Sequence, residues 1–371
     1  MDVQRLKDSF SKIAMFGDEV PLFFYSDLFI RHPEVRDLFP ISMRAQRDHL
    51  LAALGQIVSA VDRADELATF LEGLGRDHRK FGTIVEHYEA VGDSLLATVE
   101  NFGGDAWTPE LAADWNAAYQ LIASVMITAA KKDENVRPAF WKGSVISCES
   151  RSFDISVLQV RPEPRLDFVP GQSVAIESPR RPRLWRYYSI ANAPREDGTL
   201  DFHIRLIDGG AVSMALTQGQ SLGEEIRIGS PVGVLTLDTT SERDILMIAG
   251  STGLAPLKAM IEQVATMPKP PQVHLFFGAR YADGLYDLPA MEKLAAEHDW
   301  LNVVPAVSGE LRYKGETGSL PDVVARHGNW SGHDVYLAGP TELVNETTAR
   351  LTAAGTPRNQ ILVEDFGWSE P

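Results

Sequence analysis

The sequence predicts a multidomain chain in three parts: an all-α segment, then an antiparallel β-barrel, then an α/β segment built on a parallel sheet. Three observations carry this. The chain has 371 residues, more than one typical core accommodates. Its hydrophobic periodicity changes twice, near residues 135 and 240, from helical to alternating and then to apolar runs interleaved with amphipathic stretches. Glycine, proline and aspartate punctuate the runs of the middle segment at short spacing. The boundaries follow as 1–134, 137–239 and 240–371.

In the first segment helix starts are marked by Pro21 after GDEV, by Pro33 in RHPEVRDLF, and by Thr108 preceding a proline in TPE. Stops are expected at Gly82 and at Gly103-Gly104, giving six to eight helices. After KKDENVRPAF come short strands: GSVISCES, SFDISVLQV, SVAIES, LDFHIRLI and EEIRIGSPVGVLTL. No crossover helix separates them, which is the pattern of a small antiparallel barrel. In the last segment DILMIAG precedes LAPLKAMIEQVATM, QVHLFFGAR precedes DLPAMEKLAAEH, and DVYLAGP precedes ELVNETTARLTAAG. Buried strands alternating with amphipathic helices indicate a parallel sheet. No internal repeat or low-complexity tract is present.

The composition is 44% hydrophobic and 23% charged, that of a soluble globular protein. A net charge of −16 argues against nucleic acid and anionic membrane as partners. Cys148 is the single cysteine, so one chain can build neither a disulfide framework, a thiolate zinc site nor an iron–sulfur cluster. The first twenty residues interrupt their apolar positions with charges, no secretory signal is expected, and no apolar run reaches membrane-spanning length. The expected setting is the cytoplasm and the expected assembly a monomer.

Chemistry-bearing motifs begin in the barrel segment. In RLWRYYSIANAP, Arg186 and Tyr188 share one strand face and Ser189 turns to the other, with Tyr187 between them. A turn, FVPGQ, lies upstream. Downstream, DGGAVSMAL places Gly210, Val212 and Ser213 at a helix start that can receive phosphate. In AGSTGLAP, Gly250, Ser251, Thr252, Gly253 and Pro256 follow a buried strand and open a helix, where glycines let backbone approach a pyrophosphate. Two further strands end at Gly339-Pro340 and in the terminal ILVEDFGWSEP, pointing to the same carboxyl edge. Each motif alone is weak, since such turns also arise from packing.

In this order, F-x-P-G-Q, R-x-Y-S, G-x-V-S, G-x-x-G-x-x-P, G-P and E-x-F-G, the motifs resemble the ferredoxin–NADP reductase family over roughly residues 137 to 368. The resemblance implies FAD in the barrel, with Arg186 on its pyrophosphate, Tyr188 against the isoalloxazine, Ser189 near the reactive nitrogen and Ser213 on phosphate. It further implies NADH or NADPH on Gly250 to Pro256 and Gly339-Pro340, with Glu364 and Phe366 at the flavin, Phe366 covering its face. An arginine fork suits a diphosphate, each charge-assisted bond contributing roughly 1.5–3 kcal/mol. The cysteine usual in the family's C-G-P motif is Ala338 here. Arg280 can meet a 2′-phosphate, although an arginine at a strand end is as often solvated; the resemblance favours NADH.

A reductase needs an electron acceptor, and in a helical segment without cysteine, haem held by histidine is the leading option. The segment contains His32, His49, His78 and His87. A lone helical histidine is more often an ordinary residue than a ligand. Gly82 separates His78 from His87, so the two cannot form an i, i+4 pair, and His78 shares its face with Leu74 and Phe81. His78 is the expected ligand. The stretches FFYSDLFIRHPEVRDLF, QRDHLLAAL and GRDHRKFGTIVEHYEAVGDSLL resemble the haem domain of flavohaemoglobins over residues 1 to about 134. That resemblance implies a globin holding haem b through His78, with Tyr25, Gln46 and Leu50 on the distal side and Phe39 on the porphyrin. Tyr25 and Gln46 would stabilise, by hydrogen bonding in a water-poor pocket, the negative charge that oxygen acquires there, and Leu50 would restrict access.

The implied reaction is nitric oxide dioxygenation, with O2, NO and NAD(P)H as small-molecule partners. Tethering keeps the reductase near millimolar effective concentration. Flavohaemoglobins commonly pair the proximal histidine with a tyrosine and a glutamate; Tyr88 matches the tyrosine, but Ala130 or Ala129 stands where the glutamate is expected, so peroxide-type cleavage should suffer more than oxygen binding. Asp77 replaces the lysine usual before the ligand, and the loop from Phe39 to Gln46 is short. These departures point to a divergent, type II subgroup. Two alternatives stand beside this one: a haem–flavin reductase acting on a hydroperoxide or quinone, and a globin that senses oxygen or redox state.

Overall fold

The computed structural model describes residues 1–219, 221–310 and 312–365. The chain divides into two compact units, Met1–Phe140 and a second beginning at Trp141.

The first unit is helical: α1 Val3–Ala14, α2 Glu19–Arg31, α3 Arg44–Ala60, α4 Ala64–His78, α5 Val85–Gly103 and α6 Pro109–Glu134. Asp2 caps α1 by accepting from the Arg5 N–H, and Thr108 caps α6 by accepting from the Leu111 N–H, with Pro109 in the first helical position. Pro33 opens a short 3₁₀ segment, Pro33–Leu38, rather than an α-helix. Phe39 is already extended because Pro40 follows it, and the proline ring disfavours helical backbone in the residue before it. At the end of α4 a single 3₁₀ turn, Arg79–Phe81, runs into Gly82, whose φ of +77° ends the helix.

Two apolar clusters fill this unit. One gathers Leu6, Phe24, Tyr25, Leu28, Val99 and Trp115, with Phe39 and Leu50 packed against it. The other gathers Ile57, Leu67, Leu71 and Met126, with Leu74 against it, and Tyr88 touches both. Helices α4 and α6 approach closely at Gly75, where a Cβ would lie inside the Met126 carbonyl and 2.7 Å from its Cα.

The second unit begins with six antiparallel strands: β1 Trp141–Ser150, β2 Ile155–Glu163, β3 Ser173–Glu177, β4 Trp185–Ser189, β5 Leu200–Arg205 and β6 Glu225–Ile228. Their order is β4-β3-β6-β1-β2-β5, and an isolated bridge from Ile190 to Phe202 links the chain just beyond β4 to β5. Helix α7, Ala211–Thr217, lies between β5 and β6. Of the stretch EEIRIGSPVGVLTL only β6, Glu225–Ile228, is strand. Gly229, Pro231 and Gly233 break it, and among them one bridge, Ser173 to Val232, remains.

The parallel sheet comprises β7 Ile245–Gly250, β8 Val273–Ala279, β9 Leu301–Val307, β10 Glu316–Thr317, β11 Asp334–Gly339 and β12 Ile361–Asp365. Helices α8 Leu254–Val264, α9 Leu288–Glu297, α10 Leu320–His327 and α11 Thr341–Ala353 connect them. The order β10-β9-β8-β7-β11-β12 reverses direction between β7 and β11, and the crevice at such a switch point is where parallel sheets take ligands.

The two sheets belong to one unit because their cores merge. Ile155, Leu235 and Leu237 pack with the interior strands of the parallel sheet. Polar contacts reinforce this: Glu262 of α8 accepts from the Ala193 N–H at 2.9 Å, and the buried His203 of β5 meets the Tyr286 hydroxyl at 2.7 Å. Lys258 pairs with Asp287 at 2.8 Å, the carboxylate that also faces His203.

Burial pushes the His203 imidazole down to about 3, with the Lys258 charge adding to the effect and Asp287 opposing it. The fold holds this ring neutral, whereas the unfolded chain protonates it, so its contribution is intact above the ordinary value of 6.5 and declines as pH falls toward 3. The second unit should therefore lose about 2 kcal/mol between roughly pH 7 and pH 5, and His203→Gln should flatten that slope, as read from urea midpoints followed by flavin fluorescence. Gly75→Ala should destabilise the helical unit by about 1–3 kcal/mol through overpacking, measured by urea unfolding followed at the haem absorbance.

Candidate active site

In the helical unit the key side chain is His78, the last residue of α4. Its Nδ1 lies 2.8 Å from the Leu74 carbonyl oxygen, which can only accept, so Nδ1 carries the proton and Nε2 presents a lone pair. Burial shifts the imidazole's pKa downward, and the Leu74 bond and Asp77 oppose that shift only in part. A neutral, tautomer-fixed imidazole is the form that ligates iron. Phe81 stands edge-on to it at 6.0 Å between centroids. His87 is elsewhere: its Nδ1 accepts from the Ile84 N–H at 3.2 Å, capping α5.

Tyr25 of α2 is buried among Phe24, Phe29 and Phe39, its ring centroid 5.5 Å from that of Phe39. Its hydroxyl donates to the Gln46 backbone carbonyl at 3.2 Å, and burial raises its pKa so that it remains a donor. Gln46 and Leu50 lie one turn apart on α3, both half-buried. The structure thus joins Tyr25, Phe39, Gln46 and Leu50 around one apolar cluster.

Tyr88 is half-buried, and its hydroxyl makes no hydrogen bond among the described residues, while its backbone carbonyl accepts from the Tyr119 hydroxyl. Ala129, at one of the two positions considered for the missing glutamate, is buried on α6. One turn further, the buried Asp133 accepts from Arg79, the residue after His78, and pairs with Arg137 at 2.8 Å. Lys80 bonds Asp77 at 2.6 Å and lies over the Phe81 ring. The Arg79–Asp133 pair was not legible beforehand, because it joins residues 54 apart.

In the second unit Arg186, Tyr187, Tyr188 and Ser189 form β4 with Trp185. Tyr188 is half-buried and its pKa raised by burial, while Tyr187 is exposed. Arg186 donates to the Trp185 carbonyl at 3.0 Å. Gly210 caps α7, and within that turn the Ser213 hydroxyl donates to the Gly210 carbonyl at 3.0 Å and accepts from the Ile207 N–H at 3.3 Å, while Val212 is buried. Ser189 donates to one oxygen of Glu364 at 3.1 Å and Ser173 donates to the other, also at 3.1 Å. Glu364 is thereby brought beside Ser189. Ser173 was missed, although it directly follows the PGQ turn. Phe366 lies outside the described residues.

At the switch point Gly250 ends β7 and Gly339 ends β11, and a Cβ on Gly339 would lie 3.2 Å from the Gly250 Cα. Gly253 must be glycine, since any Cβ would enter the Ala338 carbonyl. Ser251 takes left-handed backbone at φ +54°, uncommon for a residue with a side chain, and its hydroxyl receives Arg205 at 3.3 Å. Thr252 completes the turn before Pro256 enters α8, and Pro340 precedes α11. The turn sits at the sheet's switch point, the position expected for a dinucleotide pyrophosphate. Arg280 lies over the Tyr281 ring at 5.4 Å.

These sites define a haem–flavin NAD(P)H oxidoreductase: a globin joined to FAD- and NAD-binding domains. The globin family matches residues 22–126, the oxidoreductase FAD-binding domain 142–237 and the oxidoreductase NAD-binding domain 247–349. The flavohemoprotein of Bacillus subtilis (strain 168) is 26% identical, covering 98% of this chain and 96% of its own. The ferredoxin–NAD(P)(+) reductase component of the naphthalene 1,2-dioxygenase system of Pseudomonas putida is 31% identical over 61% of this chain and 68% of its own. The structure of flavohemoglobin from Malassezia yamatoensis with bound FAD and heme shares the fold at a TM-score of 0.79, with 21% identity and 98% of each chain covered. The chain belongs to the flavohaemoglobin family, and its cofactors are haem, FAD and NAD(P)H. Among the described residues no helix is long and apolar enough to cross a membrane.

His78→Ala should abolish the haem absorbance while FAD content is retained, and Arg186→Ala should do the reverse, lowering FAD occupancy roughly tenfold or more. Cofactor-to-protein ratios from absorption spectra of the purified variants check both.

Proposed function

We propose that this protein is a nitric oxide dioxygenase, converting NO and O2 to nitrate with the one electron per turnover that NAD(P)H supplies through FAD. The observation that carries the reading is the pairing, within one unit, of a tautomer-fixed neutral His78 with a buried Tyr25 hydroxyl beside Gln46 and Leu50. Haem, when bound, supplies the iron centre for oxygen chemistry, and FAD splits the two-electron hydride into single electrons.

The chain's own residues do the rest. His78 would hold the haem iron through the Nε2 lone pair that the Leu74 bond leaves available. Tyr25 holds its proton against ionisation, because burial penalises the phenolate, and offers that O–H to developing negative charge in place of the Gln46 carbonyl it now bonds. Leu50 and Phe39 keep water from the pocket, which strengthens every electrostatic contact within it. On the reductase side Arg186 and Ser213 hold flavin phosphate, the turn from Gly250 to Gly253 with Gly339-Pro340 takes the nicotinamide dinucleotide, and Ser189 with Glu364 serves the reacting flavin edge. The absence of a carboxylate at Ala129 and Ala130 weakens the electron donation that peroxide cleavage demands, which favours dioxygenation over peroxidase chemistry.

Anaerobic stopped-flow should show NADH reducing first FAD and then haem, and aerobic assays should show NO consumed with nitrate as product. A haem that stays ferric on the catalytic timescale overturns the proposal, as does a ligand-bound protein that turns over no NO. Tyr25→Phe should lower NO turnover about tenfold to a hundredfold, the equivalent of one hydrogen bond to a charged group, with NADH-dependent flavin reduction unchanged in the same stopped-flow traces.

A further inference from the structure

Ser173 and Ser189 are register partners across β3 and β4. Their hydroxyls converge on the two oxygens of one carboxylate, Glu364 near the end of β12, at 3.1 Å each. Both serines are buried. Glu364 itself pairs in register with Ala338 of β11, so the clamp joins the edge of the antiparallel sheet to the strand beside the dinucleotide turn.

The half-buried Glu364 carboxylate has two equivalent oxygens and a freely turning terminal torsion. One hydrogen bond to it leaves the second oxygen unpaired and the group free to rotate off its partner; a bond to each oxygen removes both options. We propose that Ser173 is a positioning residue for flavin reduction: by occupying one oxygen of Glu364 it keeps the other on the Ser189 hydroxyl, and so fixes how Ser189 faces the flavin. This rests on the reading of Ser189 as a flavin-edge residue. Ser173 serves the reaction at one remove and touches no substrate.

The clamp acts on Glu364 in opposite senses: burial raises its pKa, and the Ser189 and Ser173 bonds lower it. Deleting one hydroxyl removes a bond to the charged form, so the carboxyl must titrate at higher pH. A side chain with a merely packing role leaves that midpoint unmoved.

The test uses cofactor-replete protein labelled with ¹³C at the glutamate carboxyls, the Glu364 resonance being identified by its loss in Glu364→Gln. In Ser173→Ala the midpoint of that resonance should move upward and the rate of flavin reduction by NADH should fall roughly threefold to tenfold, with the KM for NADH little changed. Ser173→Thr, which keeps the hydroxyl, should restore both. If Ser173→Ala leaves midpoint and rate as in the parent while Ser189→Ala slows reduction, the proposal is overturned and the flavin-edge reading stands. If Ser189→Ala also leaves reduction unaffected, the flavin-edge reading fails and the proposal falls with it.

Discussion

The hydrogen bond from His78 Nδ1 to the Leu74 carbonyl is the constraint on which the rest of the haem site depends. Position 74 is one turn upstream on the same helix, within reach of the imidazole, and the second lone pair of its carbonyl oxygen accepts from the ring while the helix ladder stays intact. Because α4 ends at His78 and Gly82 turns the chain away, the ring sits at the helix terminus with Phe81 edge-on beside it. Burial then keeps the ring neutral without a carboxylate partner. The electrostatic character of the site follows: a carbonyl dipole orients the ligand, whereas a carboxylate would also push charge onto it.

Much of this was legible in the sequence, for physical reasons that differ from place to place. The helical segment declared itself through Thr108 and Gly82, a cap and a stop whose chemistry is local. The strand-to-helix turn at Gly250-Ser251-Thr252-Gly253 was legible because a buried apolar strand runs straight into glycines and an amphipathic helix, a pattern that is local. Pro33 was misleading: proline at a helix start is permissive of both α and 3₁₀ structure, and Pro40, seven residues further on, limits the segment by holding Phe39 extended. The strand after β6 was over-extended for a related reason, since alternation in EEIRIGSPVGVLTL continues past the residues that interrupt pairing.

What could not be read were the contacts between distant residues. Ser173 and Ser189 sit in ordinary strand contexts, and only their register, with a carboxylate 175 positions beyond Ser189, gives them a joint role. His203 looks like one polar residue in an amphipathic strand, yet it is enclosed by Tyr286, Asp287 and Lys258 from the other sheet. The two reductase segments therefore share a core within one compact unit. Their textures differ because their sheets differ, and texture carries no information about whether two sheets share a core.

The merging of these sheets bears on how the reductase works. Helix α8 begins at the dinucleotide turn, and along its length Lys258 and Glu262 fasten it to Asp287 and to the Ala193 N–H. Arg205 on β5 reaches the Ser251 hydroxyl from the antiparallel sheet. The turn is thus held from both sides, by its own sheet and by the flavin-binding one, and Ser251 is kept in a left-handed conformation it would otherwise leave. Holding that strain costs stability, and the buried ion pair and hydrogen bonds around it are what the fold sets against the cost. Hydride transfer requires nicotinamide and flavin to meet within van der Waals distance, and a tolerance that tight favours a single rigid unit over two hinged ones.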